Sequence, residues 1–133
     1  MEREPPQRFD LLALDAFSSD AIPVHLLTRE AFALYERHLN TNGIIVVHIS
    51  NHFLDLEPVV VNLAREFSYK LATIDYEEDE EEWWIYSCTW MLLTRNQELL
   101  NQPSLRNAAN PAKKNPAGIL WTDDFASLFK ILK

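Results

Sequence analysis

The chain has 133 residues, 47% of them hydrophobic and 11% aromatic, enough to build one domain around an apolar core. A net charge of -8 sets the average field against nucleic acid and in favour of small cations, and the single cysteine, Cys88, excludes an internal disulfide or a multi-cysteine metal cluster. No stretch approaches the roughly 18 uninterrupted apolar residues that span a bilayer, and the opening MEREPPQRF has no apolar signal region, so a cytoplasmic chain without membrane contact is expected.

FDLLALDAF, residues 9 to 17, is a short apolar run with the length of a buried strand. Thr28 is placed to cap a helix in which Ala31, Leu34, Tyr35 and His38 recur at three and four, ended by Asn42-Gly43. IIVVHIS then reads as a strand covered on both faces, and DLEPVVVNLAREF (55 to 67) as a second helix with Pro58 in its first turn. KLATID (70 to 75) is a short strand. EEDEEE (77 to 82) is an acidic turn, and residues 83 to 95 form a long strand antiparallel to 70 to 75, with Cys88 as a core thiol and Trp84 and Trp90 on one face. Residues 96 to 118 read as a loop with one helical turn near Gln97 to Leu100. WTDDFASLFKILK predicts a terminal amphipathic helix capped by Thr122, with Phe125, Leu128, Phe129 and Leu132 on its apolar face.

Strands alternating with helices predict an α/β fold with a parallel sheet, closed by an antiparallel hairpin. In such sheets ligands bind beyond the carboxyl ends of the strands, which selects Asp15 to Asp20 and His48 to His52. His48 and His52 are four apart but straddle a strand end without a third ligand, so no metal site is expected. A serine-hydrolase reading of Ser18 or Ser19 lacks the G-x-S-x-G turn.

FDLLALDAFSSDAIPVHLLTREAFALY, GIIVVHISNHFLDLEPVV and WTDDFASLFKILK together resemble the carboxyl half of spermidine synthase-like proteins, the polyamine aminopropyltransferase superfamily. The resemblance implies the carboxyl-terminal half of a doubly wound, Rossmann-like methyltransferase-fold sheet, with strands in the order 4-5-7-6 and strand 7 antiparallel. It implies Asp15 as the catalytic acid that accepts a proton from, or orients, an amine. Asp20 is implied as a substrate-binding acid, with Ser18, Ser19, His25, His48 and Asn51 around the same substrate and Ser50 lining the pocket. Where family members read D-[ST]-[ST]-D-P, this chain reads D-A-F-S-S-D-A-I-P with its acids five apart; that spacing leaves methyl transfer open as an alternative reaction.

The family's glycine-rich nucleotide loop has no counterpart, because Gly43 and Gly118 are the only glycines. The chain is therefore expected to bind no cofactor alone, whereas the complete family protein uses decarboxylated S-adenosylmethionine or S-adenosylmethionine. Inactivity in isolation follows. So does an unpaired apolar edge on the first strand, predicting a homo-oligomer or association with an amino-terminal half of the same fold. The alternative function is a non-catalytic interaction module, and a small polyamine is the expected ligand.

Overall fold

The computed structural model describes residues 1–17, 22–77, 86–110 and 119–133, a mixed α/β arrangement around a five-stranded sheet. The strands are β1 (Phe9–Leu14), β2 (Leu39–His48), β3 (Lys70–Tyr76), β4 (Cys88–Thr94) and β5 (Ala109–Asn110). Their order is β1-β2-β4-β3-β5. Only β1 and β2 are parallel; β4 runs antiparallel to β2 and to β3, and β5 antiparallel to β3. The first four strands thus lie in the expected order, while the sheet as a whole is mostly antiparallel.

Helices α1 (Arg29–His38) and α2 (Glu57–Glu66) fall where the apolar spacing predicts them. Thr28 caps α1 by accepting the Ala31 N–H at 3.2 Å, and Pro58 sits in the first turn of α2, where its missing N–H costs nothing. The end of α2 is closed by Ser68 at φ 57°, with the Ser68 N–H on the Arg65 carbonyl and the Tyr69 N–H on the Ala64 carbonyl, two bonds that satisfy the last turn. The end of α1 differs from expectation. The helix stops at His38 and β2 begins at once, so Asn42-Gly43 falls inside a strand. There the pairing with β1 jumps from Phe9↔Leu39 to Leu11↔Ile44, and the irregularity needs glycine: a Cβ on Gly43 would lie 2.9 Å from the Asn40 carbonyl oxygen.

The core lies on one face of the sheet. Leu14, Ile45, Val47, Met91 and Leu93 form a buried cluster with Phe32 and Tyr35 of α1 and with Val59, Val60, Leu63 and Ala64 of α2. Alternation sends Leu11, Ala13, Ile44, Val46 and Leu92 to the opposite face. There Leu11 is 55% exposed and Ala13 exposed, with Ile44 and Val46 half-buried. β1 is therefore an edge strand with a covered and an open face rather than a fully buried one, and β2 is covered completely on one face only.

Three further expectations change. Residues 96 to 110 hold the expected helical turn, α3 (Gln97–Leu100), but also α4 (Pro103–Ala108) and β5, which a loop does not foresee. Asn96 caps α3 through the N–H groups of Glu98 and Leu99, and Pro103 opens α4. The amphipathic helix over the last thirteen residues is absent. Thr122 and Phe125 close a turn on each other, only Leu128–Ile131 forms a 3₁₀ turn, and Phe125, Leu128, Phe129 and Leu132 are exposed, while Trp121 and Ile131 are buried instead. The segment is held by long-range contacts that outweigh its periodicity. The Arg29 N–H donates to the Trp121 carbonyl at 2.8 Å, the Thr28 hydroxyl to Asp123 Oδ1 at 2.7 Å, and the Asp55 N–H to the Ile131 carbonyl at 2.7 Å. Asp123 thus serves the amino end of α1, not of a helix of its own. Cys88, finally, is half-exposed at the start of β4 and not a core thiol. Trp83, Trp84 and most of the acidic turn lie outside the described residues. Among the described residues no helix is long and apolar enough to cross a membrane.

Two buried phenols give the fold a measurable alkaline limit. Burial pushes the Tyr35 hydroxyl, which donates to the Leu26 carbonyl at 3.0 Å, up to about 12. Tyr69 is likewise raised to about 12, by burial first and then by the Glu36 carboxylate. Each ring is neutral in the folded chain at a pH where the unfolded chain has already ionised from its ordinary value of 10.0. Their contribution is complete below pH 10 and is lost as pH rises toward 12, by on the order of 2 kcal/mol for each ring. Urea midpoints measured from pH 9 to 12 are expected to fall over that window, and Tyr35→Phe should flatten the fall while costing about 1 kcal/mol at neutral pH.

Candidate functional site

The carboxyl ends of β1 and β2 lie side by side. Since Leu14 pairs with Val47, the next residues along each strand, Asp15 and His48, come together. His48 Nδ1 stands 2.8 Å from Asp15 Oδ1, and its Nε2 2.9 Å from Ser50 Oγ. A carboxylate can only accept, so Nδ1 donates to Asp15; in the neutral ring Nε2 then accepts the Ser50 hydroxyl proton. The imidazole is clamped from a third side, because β2 and β4 pair His48 with Trp90 and the two rings stack with centroids 4.7 Å apart at 16°. His48 is mostly shielded, its side chain 14% accessible, whereas that of Asp15 is 60% accessible.

Ser50 is fixed as well. Its Oγ accepts the Thr89 N–H at 2.7 Å, the Ile49 N–H returns a bond to the Thr89 carbonyl at 2.9 Å, and the Thr89 hydroxyl donates to Asp75 Oδ1 at 2.6 Å. Asp75 Oδ2 accepts the Asn110 amide at 2.9 Å. The chain Asp15–His48–Ser50–Thr89–Asp75 thereby links the carboxyl ends of β1, β2 and β3 through the amino end of β4.

These groups border an open cleft of about 1040 Å³, large enough for a drug-sized molecule. Asp55, Glu57, Asp75 and Glu77 bring four carboxyl groups to its walls, and Lys133 one ammonium, which donates to the Asn51 carbonyl. By its wall charges the cleft is thus a cation-attracting surface. Cys88 and Tyr86 line it too. Among the described residues no three His, Cys, Asp or Glu side chains are grouped to hold a metal ion.

The residues expected from sequence divide into three groups. His48, Ser50 and Asn51 line the cleft; Asp15 is bonded to His48 and is not part of the lining. Asn51 is a loop clamp, its amide donating to the Phe17 carbonyl and accepting the N–H groups of Phe53 and Leu54, all at 2.9 Å. His25 sits in the 3₁₀ turn Val24–Leu27 with an exposed ring and does not line the cleft. Ser18, Ser19 and Asp20 lie outside the described residues.

Sequence reasoning overlooked Asp75, Thr89, Trp90 and Lys133. Asp75 carries a usable signal, an acid at the carboxyl end of a strand, but it belongs to an antiparallel pair, and the carboxyl-end rule speaks of parallel strands. Trp90 meets His48 only through a register between strands some forty residues apart, which no local pattern encodes. No family model matches this chain, and no curated protein matches its sequence significantly.

Proposed function

We propose that this chain is the carboxyl half of a spermidine synthase-like, methyltransferase-fold sheet, and that its cleft binds the amine substrate of an aminopropyl transfer. The observation that carries the reading is the cleft itself: beyond the carboxyl ends of the parallel strands, four carboxyl groups face one lysine. A diamine or polyamine is the small molecule whose charges complement that wall. The strand order β1-β2-β4-β3 supports the reading, being that of strands 4-5-7-6. So do the apolar open face and the unpaired β1 edge, the surfaces that a preceding half of such a sheet would cover.

Aminopropyl transfer needs an amine nitrogen freed of its proton and aligned with a carbon beside a sulfonium. In this reading Asp15 acts on the amine through a neighbour. Its Oδ1 is engaged by His48, so its part is to orient the imidazole at the rim of the cleft. The nucleoside, decarboxylated S-adenosylmethionine or S-adenosylmethionine, would be held by the other half, because this chain has no glycine-rich cradle. The isolated chain is therefore inactive in transfer, since binding energy from the nucleoside positions the reacting carbon. The reading carries a cytoplasmic setting.

The test is ligand-induced stabilisation. Spermidine or putrescine at about a hundred times its dissociation constant should add about 2.7 kcal/mol, raising Tm by several degrees where sodium chloride of equal ionic strength does not. Asp55→Asn with Asp75→Asn should remove most of that difference. Equal shifts from polyamine and sodium would sink the amine reading. Calorimetry with 5′-methylthioadenosine should show no micromolar binding to this chain alone.

The open edge favours a second reading, an interaction module that works by pairing β1 with a further strand.

A further inference from the structure

We infer that Ser50 is an acyl-accepting nucleophile, driven by the relay Ser50–His48–Asp15, and that its substrates are carboxylic esters or thioesters carrying a positive charge. Three observations converge on it. Ser50 Oγ is 2.9 Å from His48 Nε2 and His48 Nδ1 is 2.8 Å from Asp15 Oδ1, so nucleophile, base and orienting acid are in contact in the sequence that activates a hydroxyl. The tautomer is the productive one, because Asp15 compels Nδ1 to carry the proton and leaves Nε2 free to take the one from Ser50. And Ser50 and His48 line the open cleft while Asp15 does not, which sets the order of the three groups relative to an incoming ligand.

The surroundings suit the role. Trp90 covers one face of the imidazole and holds its plane. The Thr89 N–H fixes Ser50 Oγ through one lone pair and leaves the other for attack. The motif G-x-S-x-G is absent, and the constraint it would supply comes instead from the bonds between the Ile49–Ser50 segment and Thr89. Lys133, bonded to the Asn51 carbonyl, lines the same cleft as Ser50 and is the charged donor there for an oxyanion. The carboxylates of Asp55, Asp75 and Glu77 select a cationic substrate.

In the first step Ser50 Oγ bonds to the acyl carbon while its proton passes to His48 Nε2. The bond from that carbon to the leaving oxygen or sulfur then breaks, and the leaving group departs with the proton from Nε2. In the second step water gives a proton to Nε2 as its oxygen attacks the acyl-serine, and Ser50 Oγ leaves, recovering that proton. No oxidant, metal or nucleoside takes part, so the inference stands apart from aminopropyl transfer and is tested separately from it.

The experiment uses the full chain with a fluorophosphonate label and with acetylthiocholine. Wild type is expected to form one phosphonyl adduct, located on Ser50 by peptide mass spectrometry, and Ser50→Ala none. His48→Ala should label about 10²-fold more slowly or worse. Asp15 is a positioning residue, so Asp15→Asn should lower kcat toward acetylthiocholine at least about tenfold with KM unchanged, and Asp15→Glu should recover part of the loss. As a guard against misfolding, Ser50→Cys should react with iodoacetamide at least about tenfold faster than Cys88 does. A folded wild type that takes no adduct, an adduct that persists in Ser50→Ala, or a cysteine at 50 no faster than Cys88 overturns the inference.

Discussion

Trp121→Ala is expected to remove about 3–5 kcal/mol of stability, the cost of a large aromatic deleted from a packed interior. The indole is 1% exposed and belongs to the main apolar cluster. Its segment is also a fastening point. The Trp121 carbonyl takes the Arg29 N–H, Asp123 Oδ1 takes the Thr28 hydroxyl, and Glu30 Oε2 takes the Asp123 N–H at 3.0 Å, so the start of α1 and the turn 121 to 125 are bonded as one unit. Against the 5–15 kcal/mol that typically hold a domain together, the substitution approaches global unfolding. Trp121→Phe should be far milder, below about 1.5 kcal/mol, because it keeps most of the ring and removes an indole N–H that is buried without a partner among the described residues. Urea denaturation of the three proteins checks both numbers. A Trp121→Ala variant within about 1 kcal/mol of wild type would mean that the terminal segment does not pack on α1 as described.

The second large effect concerns association. Among the described residues β1 pairs with β2 on one side only, and the outward face of this edge strand carries Leu11 and Ala13, with Phe9 also exposed. An edge with free backbone groups and an apolar face is a template for another strand. If two copies meet there about a twofold axis, two Leu11 side chains are buried per dimer, one from each copy, at about 1.5–3 kcal/mol for each side chain. Leu11→Lys should then weaken self-association by a factor of about 10²–10⁴ while leaving the monomer's melting temperature nearly unchanged. Sedimentation of wild type and variant over a wide concentration range measures it. A wild type that stays strictly monomeric over that range would count against the edge as an interface and, with it, against the interaction-module reading.

Much of the local structure was legible before any coordinates. Thr28 and the three-and-four spacing behind it located α1, and Pro58 followed by apolar residues located α2. The β-branched run before His48 located β2, and KLATID located β3. These succeed because caps, proline and apolar periodicity act within a few residues of the backbone they shape. The carboxyl-end rule also directed attention to the corner that holds Asp15, His48 and Ser50, since strand direction alone decides where such a cleft opens.

The same local logic failed where a distant contact was worth more. Phe125, Leu128, Phe129 and Leu132 are spaced for a helix, yet Trp121 and Ile131 are the side chains buried, because Arg29, Thr28 and Asp55 bond the terminal segment in another path. Asn42-Gly43 reads as a helix stop but serves a break in strand pairing, a use visible only once β1 lies alongside. Amino-acid order by itself determined where α1, α2, β2 and β3 form, the caps at Thr28 and Pro58, and that the chain is acidic. Tertiary structure decided which face of the sheet is covered, that Cys88 borders a cleft, and that Asp15, His48, Ser50 and Trp90 meet. Contacts between residues 15, 48 and 90 depend on the register of three strands, and register is settled by the summed packing of all of them, a quantity no single segment contains.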